Sequence, residues 1–94
     1  VKTIHEYPIE IADAFAINLP SGFRILSLRT QAGRTCLWAL VDASSPLRLV
    51  NFRVFGTDQP VPDDPDLFYV GTVQDGPAVW HLFRELARSE QPEE

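Results

Sequence analysis

The feature that most constrains this chain is its punctuation. Short runs of alternating apolar, β-branched and aromatic residues are broken by Gly, Pro, Asn and Asp clusters about every ten residues, the rhythm of an all-β sandwich or barrel. Six runs are plain: Lys2 to Tyr7, Ala14 to Leu19, Phe23 to Thr30, Thr35 to Val41, Leu47 to Phe55 and Leu67 to Val73. A seventh, from Ala78, reads two ways. As a helix it has Asp75 to cap it, Pro77 to open it and Val79, Leu82, Phe83 and Leu86 at helical spacing. As a strand, Ala78 to Phe83 is apolar on both faces and follows the hairpin-like Asp75-Gly76. The local pattern favours the helix.

Alternation assigns faces within the runs. Phe15, Ile17 and Leu19 share one face of the second. In the fifth, Arg48, Val50, Phe52 and Val54 share one face, and Leu49, Asn51, Arg53 and Phe55 the other. Thr35 to Val41 is apolar on both faces and is expected to be the central, most buried strand, with Trp38 inside. Leu19-Pro20-Ser21-Gly22 marks a reversal of unassigned type, and Gln31-Ala32-Gly33-Arg34 a tight hairpin. Residues 57–66 hold three prolines and four aspartates and must form a surface loop. The expected fold is therefore a single all-β, mostly antiparallel domain over residues 1–86, a small sandwich or barrel of about seven strands. A short C-terminal helix stays open, and the charged residues 87–94 are expected to form a flexible tail.

Composition narrows the function classes. At 94 residues and 45% apolar content the chain can bury one modest core. Eight basic against thirteen acidic residues give a net charge of −5, which speaks against binding duplex nucleic acid through its phosphates. No apolar run approaches a membrane span and no leader pattern is seen, so neither a membrane role nor secretion is expected. A lone cysteine, Cys36, forms no internal disulfide and sits in the most apolar run, where it should behave as a small hydrophobe.

Candidate chemistry is sparse. His5 and His81 lack metal-ligand spacing, Ser21, Ser44 and Ser45 have no nearby base, and the aspartate loop lacks the alternate ligands and turn glycine of a calcium loop. Neither a catalytic residue, a metal nor a cofactor is expected. Seven of the eight basic residues are Arg. A GC-rich genome that favours Arg codons is the plain explanation. The functional one is that Arg53, Asn51 and Phe55 on one strand face, together with Arg48, form a ligand- or partner-binding surface, because a planar cation, an amide and a ring together can grip an anion or a partner side chain.

Several strings in order along the chain resemble an uncharacterised family of small proteins of tailed phages and prophages: Lys2-Thr3-Ile4-His5-Glu6-Tyr7-Pro8, Leu19-Pro20-Ser21-Gly22, Leu37-Trp38-Ala39-Leu40-Val41-Asp42, Phe55-Gly56-Thr57 and Val79-Trp80-His81-Leu82-Phe83. The resemblance implies a phage origin, a final strand rather than a helix at Val79 to Phe83, and no established activity. The expectation is a non-enzymatic accessory protein of the bacterial cytoplasm that binds a host or defence-system protein. An oligomer that sequesters a nucleotide and a minor virion component are the alternatives. Self-association as a homodimer or higher oligomer is expected, since a short β-domain has sheet edges to hide.

Overall fold

Every run that alternates in the sequence becomes a strand. The computed structural model describes residues 1–86, which form β1 (Thr3–Ile9), β2 (Ala14–Pro20), β3 (Arg24–Gln31), β4 (Arg34–Val41), β5 (Leu47–Gly56), β6 (Leu67–Asp75) and β7 (Ala78–Glu85), with no helix. The expected tail, 87–94, lies outside the described residues. All pairings are antiparallel and build two sheets, β1-β4-β3 (sheet A) and β2-β5-β7-β6 (sheet B). The architecture is a sandwich and not a closed barrel. Among the described residues no helix is long and apolar enough to cross a membrane.

The core forms where the inner faces meet. Ile9 and Leu37 of sheet A pack with Leu19, Val50, Phe52, Val54 and Leu82 of sheet B, and Phe15, Ile25, Leu28 and Trp80 close around them. The rings of Phe15 and Phe52, directly opposite across β2 and β5, stack at 5.3 Å. On the side of the sandwich formed by β3 and β6, Gly71 brings its backbone against Leu28, whose side chain would lie 3.5 Å from a Cβ placed there.

The turns follow from their residues. Ala32 and Gly33 both take positive φ (51° and 75°), as a two-residue type I′ hairpin between β3 and β4 requires. Gly76, φ 58°, occupies the first position of the β6–β7 loop, where a type II′ turn wants glycine. The reversal after β2 lies one residue later than its Pro-Gly spacing suggests. Phe23 N–H donates to the Pro20 carbonyl at 3.2 Å, which places Gly22, φ 81°, at the type II position. Asp42 accepts from the Ser44 amide (3.0 Å) and hydroxyl (2.6 Å), and these two hydrogen bonds hold its carboxyl below the ordinary carboxylate range.

Two sequence readings need correction. The helical spacing after Pro77 does not produce a helix: β7 pairs with both β5 and β6, so its apolar residues serve two faces of a central strand, and that burial outweighs local propensity. The strand implied by the family resemblance is the one observed. Second, β4 is the central strand of sheet A, but the side chains of Cys36, Trp38 and Leu40 point away from the core, and Trp38 and Leu40 are only half-buried. Nothing among the described residues packs over that face as a third layer.

Ala32 is the strained residue of the β3–β4 hairpin, because a Cβ in the left-handed region costs about 1–2 kcal/mol, which Gly escapes by lacking the Cβ and Asn offsets through local side-chain hydrogen bonds. Ala32→Asn should stabilise the domain by about 1 kcal/mol and raise Tm by about 4 °C or more in a thermal melt. In the same assay Phe52→Ala, which empties a site only 1% exposed, should cost about 3–5 kcal/mol, and Trp38→Ala clearly less.

Candidate binding surface

The period of β5 builds the surface. With Val50, Phe52 and Val54 drawn into the core, Asn51, Arg53 and Phe55 must project from the outer face of sheet B. Register then sets their neighbours. Arg53 lies between Ala14 of β2 and Phe83 of β7, with Tyr69 of β6 beyond; Asn51 lies between Ala16 and Glu85; Phe55 stands next to His81 and then Thr72. Three rows of directly opposed side chains result.

Two of these rows, those of Arg53 and Phe55, form an aromatic cluster. Phe83 meets Phe55 edge-on at 5.5 Å and Tyr69 at 5.6 Å, and the Arg53 guanidinium sits 5.1 Å from the centre of the Phe55 ring. A cation over a ring face is attracted by the ring quadrupole, and the contact also holds the long side chain in place. Tyr69 remains 61% exposed, whereas Phe55 is 3% exposed. The sequence reading of Phe55 as a contact residue therefore changes: it is the floor of the cluster and supports Arg53, while Tyr69 meets solvent. Phe55 is covered by the Arg53 guanidinium and the edge-on Phe83 ring, with the proline loop across the adjoining cavity.

That loop is pinned by polar contacts. Gln59 Oε1 accepts from the Gly56 amide at 2.9 Å, and the Gln59 amide donates to the Gly56 carbonyl at 3.1 Å. Within this turn Asp58 adopts φ 69°, a conformation Asp tolerates better than most residues. His81 ties the loop to the sheet. Its Nε2 shares a 2.9 Å hydrogen bond with Thr57 and its Nδ1 another of 2.9 Å with Thr72, whose hydroxyl is 2.5 Å from that of Tyr69. Both ring nitrogens thus serve in a chain running from loop to exposed tyrosine. Between loop and cluster lies a shallow cavity of about 230 Å³, lined by Phe55, Thr57, Val61, Tyr69, His81 and Phe83. A second hollow, about 310 Å³, opens over Ala14 and Ala16 next to Asn51, Arg53 and Glu85, because the two alanines leave room there.

Arg48 belongs elsewhere. It projects from the inner side of β5, where its guanidinium lies 5.7 Å from the Phe23 ring centre and that of Arg84 lies 4.7 Å from the same ring. The structure joins Asn51, Arg53 and Phe55 and separates Arg48 from them. Sequence reasoning missed Tyr69, Thr72 and His81, whose roles depend on β6 and β7 pairing in register.

It also missed the outer face of sheet A. There a hollow of about 330 Å³ is lined by Trp38, Ser27, Arg29 and Gln31. Next to it Cys36, 8% exposed, donates to Glu6 Oε1 at 3.2 Å. That hydrogen bond first, then burial and the Glu6 charge, push the thiol above its ordinary pKa, against an opposing effect of Arg34. A further hollow, about 540 Å³, lies at one end of the sandwich among Pro8, Glu10, Gly33, Arg34 and Asp75, without an aromatic ring. Among the described residues no group of three His, Cys, Asp or Glu side chains is placed to hold a metal ion.

The raised Cys36 thiol gives a direct check on the sheet A face. At mildly alkaline pH Cys36 should alkylate with iodoacetamide more slowly than in the urea-unfolded chain, because only the thiolate reacts. Glu6→Gln should speed the reaction in the folded protein, and equal rates in the two folded proteins would place Glu6 away from the thiol.

The model of a family described as a domain of unknown function, DUF7352, matches residues 1–93. No curated protein and no solved structure matches.

Proposed function

We propose that this chain, which belongs to the DUF7352 family, is a non-enzymatic binding protein that engages a protein partner through the outer face of sheet B. The observation that carries this reading is the cluster Arg53–Phe55–Phe83–Tyr69, braced from below and from the loop, with Tyr69 61% exposed at its rim. Arg, Tyr and Trp dominate the residues that carry protein–protein binding energy, and rigid rings offer contact area at low entropic cost. The adjoining cavity, about 230 Å³, is below the 300–1,000 Å³ usual for small-molecule sites and suits an inserted side chain. The sequence resemblance set out above supports a phage or prophage origin, and with it an accessory role in the bacterial cytoplasm directed at a host or defence-system protein.

A nucleotide ligand is the second reading, and one observation favours it: the hollow of about 330 Å³ on sheet A joins a Trp38 ring to Arg29 and Gln31. A ring stacks a base and a guanidinium holds a phosphate. The end hollow of about 540 Å³ suits a nucleotide less, since its Arg34 is accompanied by two acids, Glu10 and Asp75, and no ring is present to stack.

Capture from host lysate on immobilised protein, with native mass spectrometry of the purified protein alongside, separates the two. Arg53→Ala and Tyr69→Ala should each weaken a captured partner's binding by about tenfold or more. Tyr69→Ala should cost about 1–2 kcal/mol of stability, from the lost ring pair with Phe83 and the hydrogen bond to Thr72, and leave the domain folded. A partner held equally by both variants, or a co-purifying nucleotide lost on Trp38→Ala, overturns the reading.

A further inference from the structure

We infer that the protein forms a two-fold dimer in which β2 pairs antiparallel with β2 of a second copy, Ala16 facing Ala16 across the axis, so that sheet B runs unbroken through both copies.

The inference starts from which backbone groups of β2 are already used. The Val54 amide donates to the Asp13 carbonyl at 3.0 Å and the Ser21 amide to the Pro46 carbonyl at 2.8 Å. Both pairs extend the β2–β5 register, so the odd-numbered residues, Phe15, Ile17 and Leu19 included, form the hydrogen-bonded pairs with β5. The even-numbered residues Ala14, Ala16 and Asn18 then direct their N–H and C=O groups away from β5. Among the described residues nothing pairs with that side of β2.

The other sheet edges are defended. β1 carries His5, Glu6 and Pro8. β3 carries Arg24 and Arg29, and both β3 and β6 are bulged, between Ile25 and Ser27 and between Tyr69 and Gly71, where they lie against each other at Leu28 and Gly71. Charge, proline, bulges and mutual cover are the ordinary means of blunting an edge. β2, Ala-Phe-Ala-Ile-Asn-Leu-Pro, has no charge and a proline only at its end.

The sequence of this edge complements itself. With Ala16 on the axis, Ala14 lies opposite Asn18 of the partner, and the three outward residues of each copy bond one another completely. The next register, centred on Ile17, must recruit Pro20, which lacks an N–H and whose carbonyl already accepts from Phe23. Side chains permit the approach, because Ala14 and Ala16 are small and Phe15 and Ile17, both half-buried, come to face Ile17 and Phe15 of the second copy on the core side. Each copy carries a net charge of −5, which opposes contact at most surfaces. Here Asp13 comes to lie opposite Leu19 of the other copy, about 20 Å from its Asp13, and Glu85, two strands in from Ala16, lies about 24 Å from its counterpart. The occupant that fits this edge is therefore a second copy of the chain.

Cross-linking by register tests it. In a Cys36→Ser background, Ala16→Cys should form an intermolecular disulfide under mild oxidation, since Cα atoms of such a pair are about 5.5 Å apart. Asn18→Cys should not, because its counterpart lies about 14 Å away. Sedimentation velocity of the wild type should show a dimer at micromolar concentration and above, and Ala16→Lys, at an exposed position, should give a monomer by setting two cations face to face. A monomeric wild type, a dimeric Ala16→Lys variant, or Asn18→Cys cross-linking as readily as Ala16→Cys overturns the inference. Circular dichroism of each variant shows that the fold is kept.

Discussion

Phe52, 1% exposed and stacked on Phe15 at 5.3 Å, locks the register of β5 between β2 and β7. Because side chains alternate strictly along a strand, a slip of one residue would send Val50, Phe52 and Val54 into water and bring Asn51 and Arg53 into the core. Everything on the outer face of sheet B follows from preventing that slip. Arg53 lies over Phe55, Phe83 stands between Arg53 and Tyr69, and His81 stands next to Phe55, within reach of the loop. The buried half of β5 thus determines the geometry of the exposed half.

Much of this is legible in the amino-acid sequence. The two faces of β5, the prolines that keep residues 57–66 out of a sheet and the glycines that close the hairpins are local signals, and local signals survive folding. Three features were not legible, each for a non-local reason. Trp38 lies in a run apolar on both sides, yet sheet A is covered on one face only, and no sequence pattern says how many layers a sheet receives. Phe55 alternates like an exposed residue but is covered by Arg53 and by Phe83 of a strand far along the chain. The network of Thr57, His81, Thr72 and Tyr69 joins residues from a loop and two strands, and only register brings them within 2.9 Å or less. In β7 local propensity pointed the wrong way, because two neighbouring strands supply a context that helical spacing cannot anticipate.

Pairing through β2 would change what the binding face can do. The row Ala14–Arg53–Phe83–Tyr69 starts at the strand that would lie on the dimer axis. Joining two copies there doubles sheet B and sets two Arg53–Tyr69 clusters on one continuous surface. A partner that presents two copies of its own epitope would then bind with an effective concentration far above its bulk value, a gain that needs no additional contact. The small residues of β2 would serve both roles, since they leave the hollow next to Arg53 open and would let a second strand approach.

The central claim is that binding uses the outer face of sheet B, as β5 presents it. Chemical-shift mapping by heteronuclear NMR, with labelled protein titrated by its captured partner, examines every face at once. The account predicts that signals of Arg53, Tyr69, Thr72 and His81 move while the Trp38 indole and the amides of Arg29 and Gln31 stay in place. Shifts centred on Trp38, with the Arg53 and Tyr69 signals unmoved, would contradict it.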